Sequence, residues 1–191
     1  MVGPRHMLTC SHAIQWNADG TTGWVKFTPS YFDDSAPFGV AMGIRVYWEG
    51  IRVVGPGINV EEGRHDYVVV VLNWRIGDLT GWLNRARWSD SWDGGPYWTH
   101  VGYPEDLAST QRPTRQTGIA GTSTDSPLHT RITHFGDVFF GQSGGPFFGW
   151  WDGDSVPRVV ADQSGQTSTV NSASGGGHMV DLIAKARTDF P

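Results

Sequence analysis

Cysteine, runs of basic residues and long apolar segments are all scarce in this chain of 191 residues. Its single cysteine, Cys10, excludes an intramolecular disulfide. The longest aliphatic run covers residues 68–72 and is far too short to cross a bilayer, so no membrane contact is expected. Lys and Arg number 14 against 19 acidic residues, and without a basic run the chain is not expected to bind nucleic acid.

The N-terminus also lacks the apolar core of a signal peptide, because Pro4, Arg5 and His6 interrupt it. A lone thiol can act as a nucleophile. Cys10, however, lies in the apolar segment 7–10, and small cysteines in such segments are commonly buried. A reactive group is therefore expected elsewhere.

Glycine is abundant, with 26 residues that separate short runs of strand-forming residues. Runs at residues 40–48, 67–72, 98–103, 128–135, 146–150 and 158–163 predict β-strands. In contrast, Met179, Leu182, Ile183 and Ala186 fall on one face at helical spacing and predict a C-terminal helix. Many short strands closed by one helix indicate an all-β barrel or sandwich. The Gly-rich stretch 77–95 is the expected connection between two halves.

The most specific local signal is the segment 141–146, which reads Gly-Gln-Ser-Gly-Gly-Pro. Glycines beside a serine can simply form a tight turn between strands. They also let a substrate approach a nucleophilic serine closely, and nearby backbone N–H groups can then face a developing oxyanion. Because an apolar pair follows at 147–148, the whole pattern makes Ser143 the candidate nucleophile.

A serine nucleophile needs a general base and a group that orients the base. His12 lies at the end of an expected strand, and Asp66 directly precedes the buried run 67–72. His65 is the alternative base, but it should point to the opposite side of a strand from its neighbour Asp66. A surface position is therefore favoured for His65, and His12, Asp66 and Ser143 form the predicted triad.

Four segments resemble those of the trypsin/chymotrypsin-like serine endopeptidases and occur in that family's order. Residues 8–13, Leu-Thr-Cys-Ser-His-Ala, resemble its Leu-Thr-Ala-Ala-His-Cys segment, and residues 65–70 resemble its strand that begins with aspartate. Residues 141–146 resemble the nucleophile motif, and 159–165 resemble a later strand that ends in Ser-Trp-Gly. No cysteine follows His12, and Gln142 stands where trypsin zymogens carry an aspartate. The chain therefore looks closest to the V8-like, glutamyl-endopeptidase-like branch.

The resemblance implies an all-β fold of two antiparallel barrels of the six-stranded type, with a C-terminal helix. The first barrel would span residues 1–80 and carry His12 and Asp66. The second barrel and the helix would span residues 96–191 and carry Ser143. Only eleven residues precede His12, fewer than this barrel normally needs, so a first barrel that is incomplete at its N-terminus is an open alternative. The resemblance also implies a secreted protein, which we expect to be a monomer.

The implied activity is hydrolysis of a peptide or protein substrate through an acyl-enzyme, with no metal or organic cofactor. The backbone N–H groups of Gly141 and Ser143 would form the oxyanion hole. Ser164 would help to hold Asp66 in place. A catalytically inactive binding protein on the same fold, and an esterase with the same triad, stay open as alternatives. An α/β-hydrolase is disfavoured, because its triad order is Ser, Asp, His.

Five residues are expected at the substrate pocket: Asp137, Val138, Gln163, Ser164 and Gly165. In trypsins an aspartate at the place of Asp137 selects Arg or Lys, so the prediction leans toward these side chains. In V8-like relatives the same aspartate can point away from the pocket, into backbone hydrogen bonds. Gln163 also replaces the histidine associated with glutamate selection, so neither specificity transfers cleanly.

The remaining histidines show no spacing typical of a zinc site. His6, His100, His129 and His134 are dispersed, and His178 could either approach the pocket floor or occupy a turn. The acidic pairs at 33–34 and 61–62 are expected to be solvated loop charges rather than a calcium site.

Overall fold

The first β-sheet carries the N-terminal part of the candidate site. A computed structural model describes residues 1–123 and 127–191. The four antiparallel strands of this sheet follow the order β1-β4-β3-β2. They are β1 His6–Thr9, β2 Lys26–Phe27, β3 Ala41–Tyr47 and β4 Val68–Leu72. Every residue of β4 is buried, because the strand lies between β1 and β3 and has apolar clusters on both faces.

The second sheet carries the C-terminal part of the site. Seven of its strands follow the order β7-β6-β10-β11-β12-β9-β8, and the short strand β5 runs parallel to β11. The strands are β5 Asn84–Arg85, β6 Trp98–Gly102, β7 Thr114–Ile119, β8 Gly121–Ser123, β9 Thr130–His134, β10 Pro146–Gly149, β11 Arg158–Gln166 and β12 Asn171–Gly175. Four tryptophans pack with one another at its core: Trp88, Trp92, Trp98 and Trp151.

Two α-helices occur among the described residues, the single turn α1 Gly77–Thr80 and the C-terminal helix α2 Gly177–Asp189. The buried face of α2 consists of its predicted apolar residues. It packs in one cluster with Leu8 and Val69 of the first sheet and with Phe148 and Val159 of the second. The helix therefore holds the two sheets together. Within residues 1–123 and 127–191, no helix is long and apolar enough to span a membrane.

Two sheets curled into half-barrels and one closing helix confirm the predicted mostly-β fold. All six predicted strands occur, most of them shortened by a residue or two at their ends. The described sheets hold four and eight strands rather than six each. The boundaries 1–80 and 96–191 stay a prediction. Trp88, within the expected connection 77–95, already packs in the core of the second sheet.

Candidate active site

His12 and Asp66 meet because their strands are antiparallel neighbours. Strand β1 ends at Thr9, opposite Val68 at the start of β4. A 3-10 turn, Ser11–Ala13, then presents His12 beside Asp66, the residue two places before β4. His12 Nδ1 lies 2.7 Å from Asp66 Oδ2, and the His12 backbone N–H donates to Asp66 Oδ1 at 2.9 Å. The carboxylate therefore fixes both the ring and the main chain of His12.

Asp66 has no solvent-exposed surface, so its partners must satisfy it completely. Besides the two contacts from His12, Oδ2 accepts a hydrogen bond from Ser164 Oγ at 2.6 Å. An Nδ1–H that donates to this carboxylate leaves His12 Nε2 as the acceptor nitrogen. The ring is thereby prepared to take a proton at Nε2.

The thiol of Cys10 lies beside this acceptor nitrogen, with Sγ 3.8 Å from His12 Nε2. Cys10 is fully buried. Burial, and secondarily the charge of Asp66, raise the pKa of its thiol well above the usual range. The thiol therefore stays protonated and is a poor nucleophile. This agrees with the expectation that the reactive group lies elsewhere.

Ser143 is exposed and lines the same cavity as His12, with a volume of about 480 Å³. Its loop is held against β11 by two backbone bonds, from Gly144 N to Gln163 O and from Gln163 N to Gly145 O, each 2.8 Å. Among the described residues, Ser143 Oγ makes no hydrogen bond to His12. Such bonds are often loose before substrate arrives.

Two backbone N–H groups at this loop are free. Within the described part of the chain, neither Gly141 N nor Ser143 N donates a hydrogen bond, whereas the N–H groups of Gln142, Gly144 and Gly145 all do. Gly141 has a φ of +93°, and a Cβ there would lie 2.4 Å from Tyr103 O. Only glycine fits this position without strain. The loop can therefore offer two donors to an oxygen beside Ser143.

The sequence matches no family model and no curated protein, but solved structures share its architecture. A Glu endopeptidase in complex with MPD aligns at a TM-score of 0.73 and 22% identity over 98% of this chain and 83% of that one. A thermostable serine protease from an extremophilic microorganism gives 0.73 and 17% over 99% and 87%. Human heparin binding protein gives 0.69 and 11% over 100% and 85%. The chain has the trypsin-like serine protease fold.

Within this trypsin-like fold, Ser164 and Gly165 line the cavity that contains His12 and Ser143. Gln163 also borders it, but its side chain turns inward. Its Oε1 lies 3.0 Å from His134 Nε2, and its Nε2 donates to Gly165 O at 2.9 Å. Burial lowers the pKa of His134 to about 4, so this ring is neutral. Its Nδ1 accepts from Gly136 N, which leaves the proton on Nε2 to donate to Gln163.

Asp137 and Val138 line a second cavity, which shares the wall residue Phe139 with the cavity of His12 and Ser143, and their place at the substrate pocket stays a prediction. This second cavity has a volume of about 220 Å³ and is also lined by Gln116. Asp137 is exposed, and its backbone N–H donates to Gln116 Oε1 at 2.7 Å. The preceding carbonyl, Gly136 O, accepts from Asn171 Nδ2 at 2.6 Å. These two bonds hold the backbone of the turn at residues 136–137 in place.

Sequence reasoning missed several residues of the cavity. Segment 55–59 and the rings of Phe139 and Phe140 form part of its wall, and Arg131 on β9 brings a cationic side chain to it. Nothing in the local sequence marks Arg131, because only the pairing of β9 with β12 brings it to the wall. His65 is not a wall residue of this cavity. Its ring is buried, so the favoured surface position is wrong, and it packs on the ring of His129 with centroids 4.2 Å apart.

The acidic pairs behave as ordinary loop charges. Asp33 forms an exposed ion pair with Arg112, and Glu61 forms one with Arg64. The Arg112 guanidinium lowers the pKa of Asp33 below its usual range. Both carboxylates therefore have cationic partners.

Proposed function

We propose that this chain is a serine endopeptidase with His12, Asp66 and Ser143 as its triad. The observation that carries the proposal is the buried network in which His12 Nδ1 and Ser164 Oγ both bind Asp66 Oδ2. Packing alone does not explain such a network, because burying a carboxylate costs free energy. The network does orient the imidazole of His12, which lines a cavity together with the exposed Ser143.

In the proposed reaction, Ser143 Oγ attacks the carbonyl carbon of a peptide bond while His12 Nε2 takes the hydroxyl proton. The carbonyl oxygen becomes an oxyanion that accepts hydrogen bonds from Gly141 N and Ser143 N. The tetrahedral intermediate collapses, His12 returns its proton to the leaving amine, and an acyl-enzyme remains. Water then repeats the sequence with His12 as base, which releases the acid and restores Ser143. Asp66 stabilises the imidazolium at each stage.

Specificity under this proposal does not depend on Asp137, whose side chain lines the other cavity. Because Asp137 lines the second cavity, the lean toward Arg or Lys loses its support. We expect Asp137→Asn to leave the cleavage profile of a peptide library unchanged. Secretion and a monomeric state stay predictions.

The alternative is a binding protein on the same fold. It is favoured by the absence, within residues 1–123 and 127–191, of a hydrogen bond between Ser143 Oγ and His12. A fluorophosphonate probe distinguishes the two, since only an activated serine reacts with it. We expect one label per chain, on Ser143, and cleavage of a peptide library.

Ser143→Ala should abolish labelling and lower kcat by roughly 10⁴- to 10⁶-fold, with an unchanged melting temperature. The matched control is Ser155→Ala in an exposed turn, which should retain full activity. A folded wild type that neither reacts with the probe nor cleaves any library peptide would establish the binding protein instead. Hydrolysis of an ester substrate without peptide cleavage would indicate the esterase.

A further inference from the structure

Three metal-binding side chains from separate segments meet outside the proposed cleft. Glu49 follows β3, His129 precedes β9, and His178 lies in the first turn of α2. One ligand atom of each lies within 4.8 Å of the others, and all three side chains are partly buried. His178 Nδ1 is in hydrogen-bonding contact with Glu49 Oε1. The rings of His129 and His178 stack with centroids 4.1 Å apart.

A buried phenol lies beside this cluster. Tyr67 is buried, and its hydroxyl lies 3.5 Å from His129 Nδ1. A metal ion would bind these histidines through neutral imidazole nitrogens.

A plain hydrogen-bonded cluster is the simpler interpretation, but one buried ring nitrogen beside it has no partner among the described residues. His65 stacks on the other side of His129, and its buried Nδ1 has no hydrogen bond among the described residues. Its Nε2 lies 3.5 Å from Glu61 Oε1, which is beyond a good hydrogen bond. Three adjacent imidazole rings therefore have one carboxylate in contact, that of Glu49, and a more distant one, that of Glu61. A neutral imidazole has one donor and one acceptor nitrogen, and a carboxylate only accepts, so this set has more acceptors than donors.

We propose that Glu49, His129 and His178 bind one divalent transition metal ion, preferentially Zn²⁺, with solvent as the fourth ligand. Two imidazoles and one carboxylate are a ligand set that Zn²⁺ accepts, whereas Ca²⁺ and Mg²⁺ require oxygen ligands throughout. A tetrahedral site with bonds of about 2.1 Å brings its ligand atoms to roughly 3.4 Å from one another. The three ligand atoms now lie within 4.8 Å of one another, so rotations of these partly buried side chains can bring them to that distance.

The proposed ion would join three parts of the fold. Glu49 follows β3 of the first sheet, His129 precedes β9 of the second sheet, and His178 belongs to the helix that packs against both sheets. None of the three lines the cavity of His12 and Ser143, so the ion takes no part in the proposed hydrolysis. Its role is to stabilise the native state, including the segment 65–67 that carries Asp66. At a Zn²⁺ concentration 100-fold above Kd, the melting temperature should rise by roughly 5–10 °C.

The test titrates chelator-treated, full-length protein with ZnCl₂ by calorimetry and with CoCl₂ by visible absorption. We expect one ion per chain and the intense d–d bands of tetrahedral Co²⁺. Glu49→Gln and His178→Gln should each weaken Zn²⁺ binding at least 10-fold and remove the rise in melting temperature. The matched control is Glu61→Gln, which changes a nearby exposed carboxylate and should bind Zn²⁺ as the wild type does.

A second measurement needs no variant and therefore holds if the substitutions prevent folding. Long-range ¹H–¹⁵N spectra of the histidine rings should show Zn²⁺-induced shifts at His129 and His178, and none at the buried rings of His100 and His134. Shifts confined to His12 would place the ion at the proposed cleft and overturn the proposal. The proposal would also be overturned if Glu49→Gln bound Zn²⁺ with wild-type affinity, or if the folded wild type bound no Zn²⁺ at about 100 µM.

Discussion

Gly144 allows a test of how closely the nucleophile loop must approach the first sheet. This glycine follows Ser143 and has a φ of +77°. A Cβ placed on it would lie 2.1 Å from Thr9 Oγ1 and 2.9 Å from Cys10 N, three and two residues before His12. Thr9 Oγ1 can rotate away, but the backbone N of Cys10 cannot. Gly144→Ala should therefore push the loop that carries Ser143 away from the strand that leads to His12.

The size of the effect follows from two contributions that a control variant separates. Alanine at positive φ costs about 1–2 kcal/mol, and a forced contact in a packed region costs about 1–3 kcal/mol more. Gly153 has a similar φ of +85°, but a Cβ on it would meet no atom within 4 Å, so Gly153→Ala carries only the first cost. We expect Gly144→Ala to lower the free energy of unfolding by about 2–5 kcal/mol, and Gly153→Ala by about 1–2 kcal/mol.

Urea denaturation of the two variants gives the difference directly, and fluorophosphonate labelling reports the position of Ser143. Labelling should be slowed strongly in Gly144→Ala and unchanged in Gly153→Ala. Adding Thr9→Ala to Gly144→Ala should restore part of the lost stability, because the shortest contact is with Oγ1. Equal destabilisation by the two glycine substitutions would refute the close approach of loop and strand.

Two further predictions concern buried groups around Asp66. Ser164→Ala removes a hydrogen bond to the carboxylate of Asp66, worth about 1.5–3 kcal/mol, and should lower kcat/KM by roughly 10- to 100-fold. The control Ser172→Ala, in the wall of the same cavity, should leave kcat/KM unchanged. Equal losses in the two variants would contradict a positioning role for Ser164. Asp162 is fully buried, and among the described residues neither of its carboxylate oxygens has a hydrogen-bond partner. Burial, followed by the charge of Asp66, raises the pKa of Asp162 well above the usual range. Above about pH 4 the unfolded state loses this proton while the folded state keeps it, so stability falls as pH rises. Relative to Asp162→Asn, the wild type should lose up to about 1.4 kcal/mol per pH unit in that window, and parallel stability curves between about pH 4 and 7 would contradict a neutral Asp162.

The strands that sequence reasoning finds are those whose burial is apolar. The run at β4 consists of four valines and a leucine, and its pattern predicts the strand within one residue. Strand β12, Asn-Ser-Ala-Ser-Gly, is almost as buried but contains no large apolar side chain. Strand β7 is mainly polar and exposed, and it is a strand because it pairs with β6. Pairing partners, rather than their own residues, determine these two strands.

The residues of the candidate site likewise differ in whether the sequence alone predicts them. His12, Asp66 and Ser143 can be proposed because each lies in a local motif that the fold requires at its place. The assignment of Asp137 to the pocket rests on its distance along the chain to Ser143, but hydrogen bonds to Gln116 and Asn171 decide where its turn points. The cluster of Glu49, His129 and His178 has no local signal at all, because its members come from three distant segments.

Helix α2 also bears on when the protein can fold during its synthesis. The helix is translated after every strand of both sheets, yet it covers Leu8 and Val69 in the first of them. The buried ring of His6, in the first strand, likewise pairs with the carbonyl of Ala186 in this helix. Until these residues leave the ribosome, strands β1 and β4 keep an apolar face in water. The proposed peptidase is therefore expected to complete its fold, and to become active, only after α2 has been synthesised.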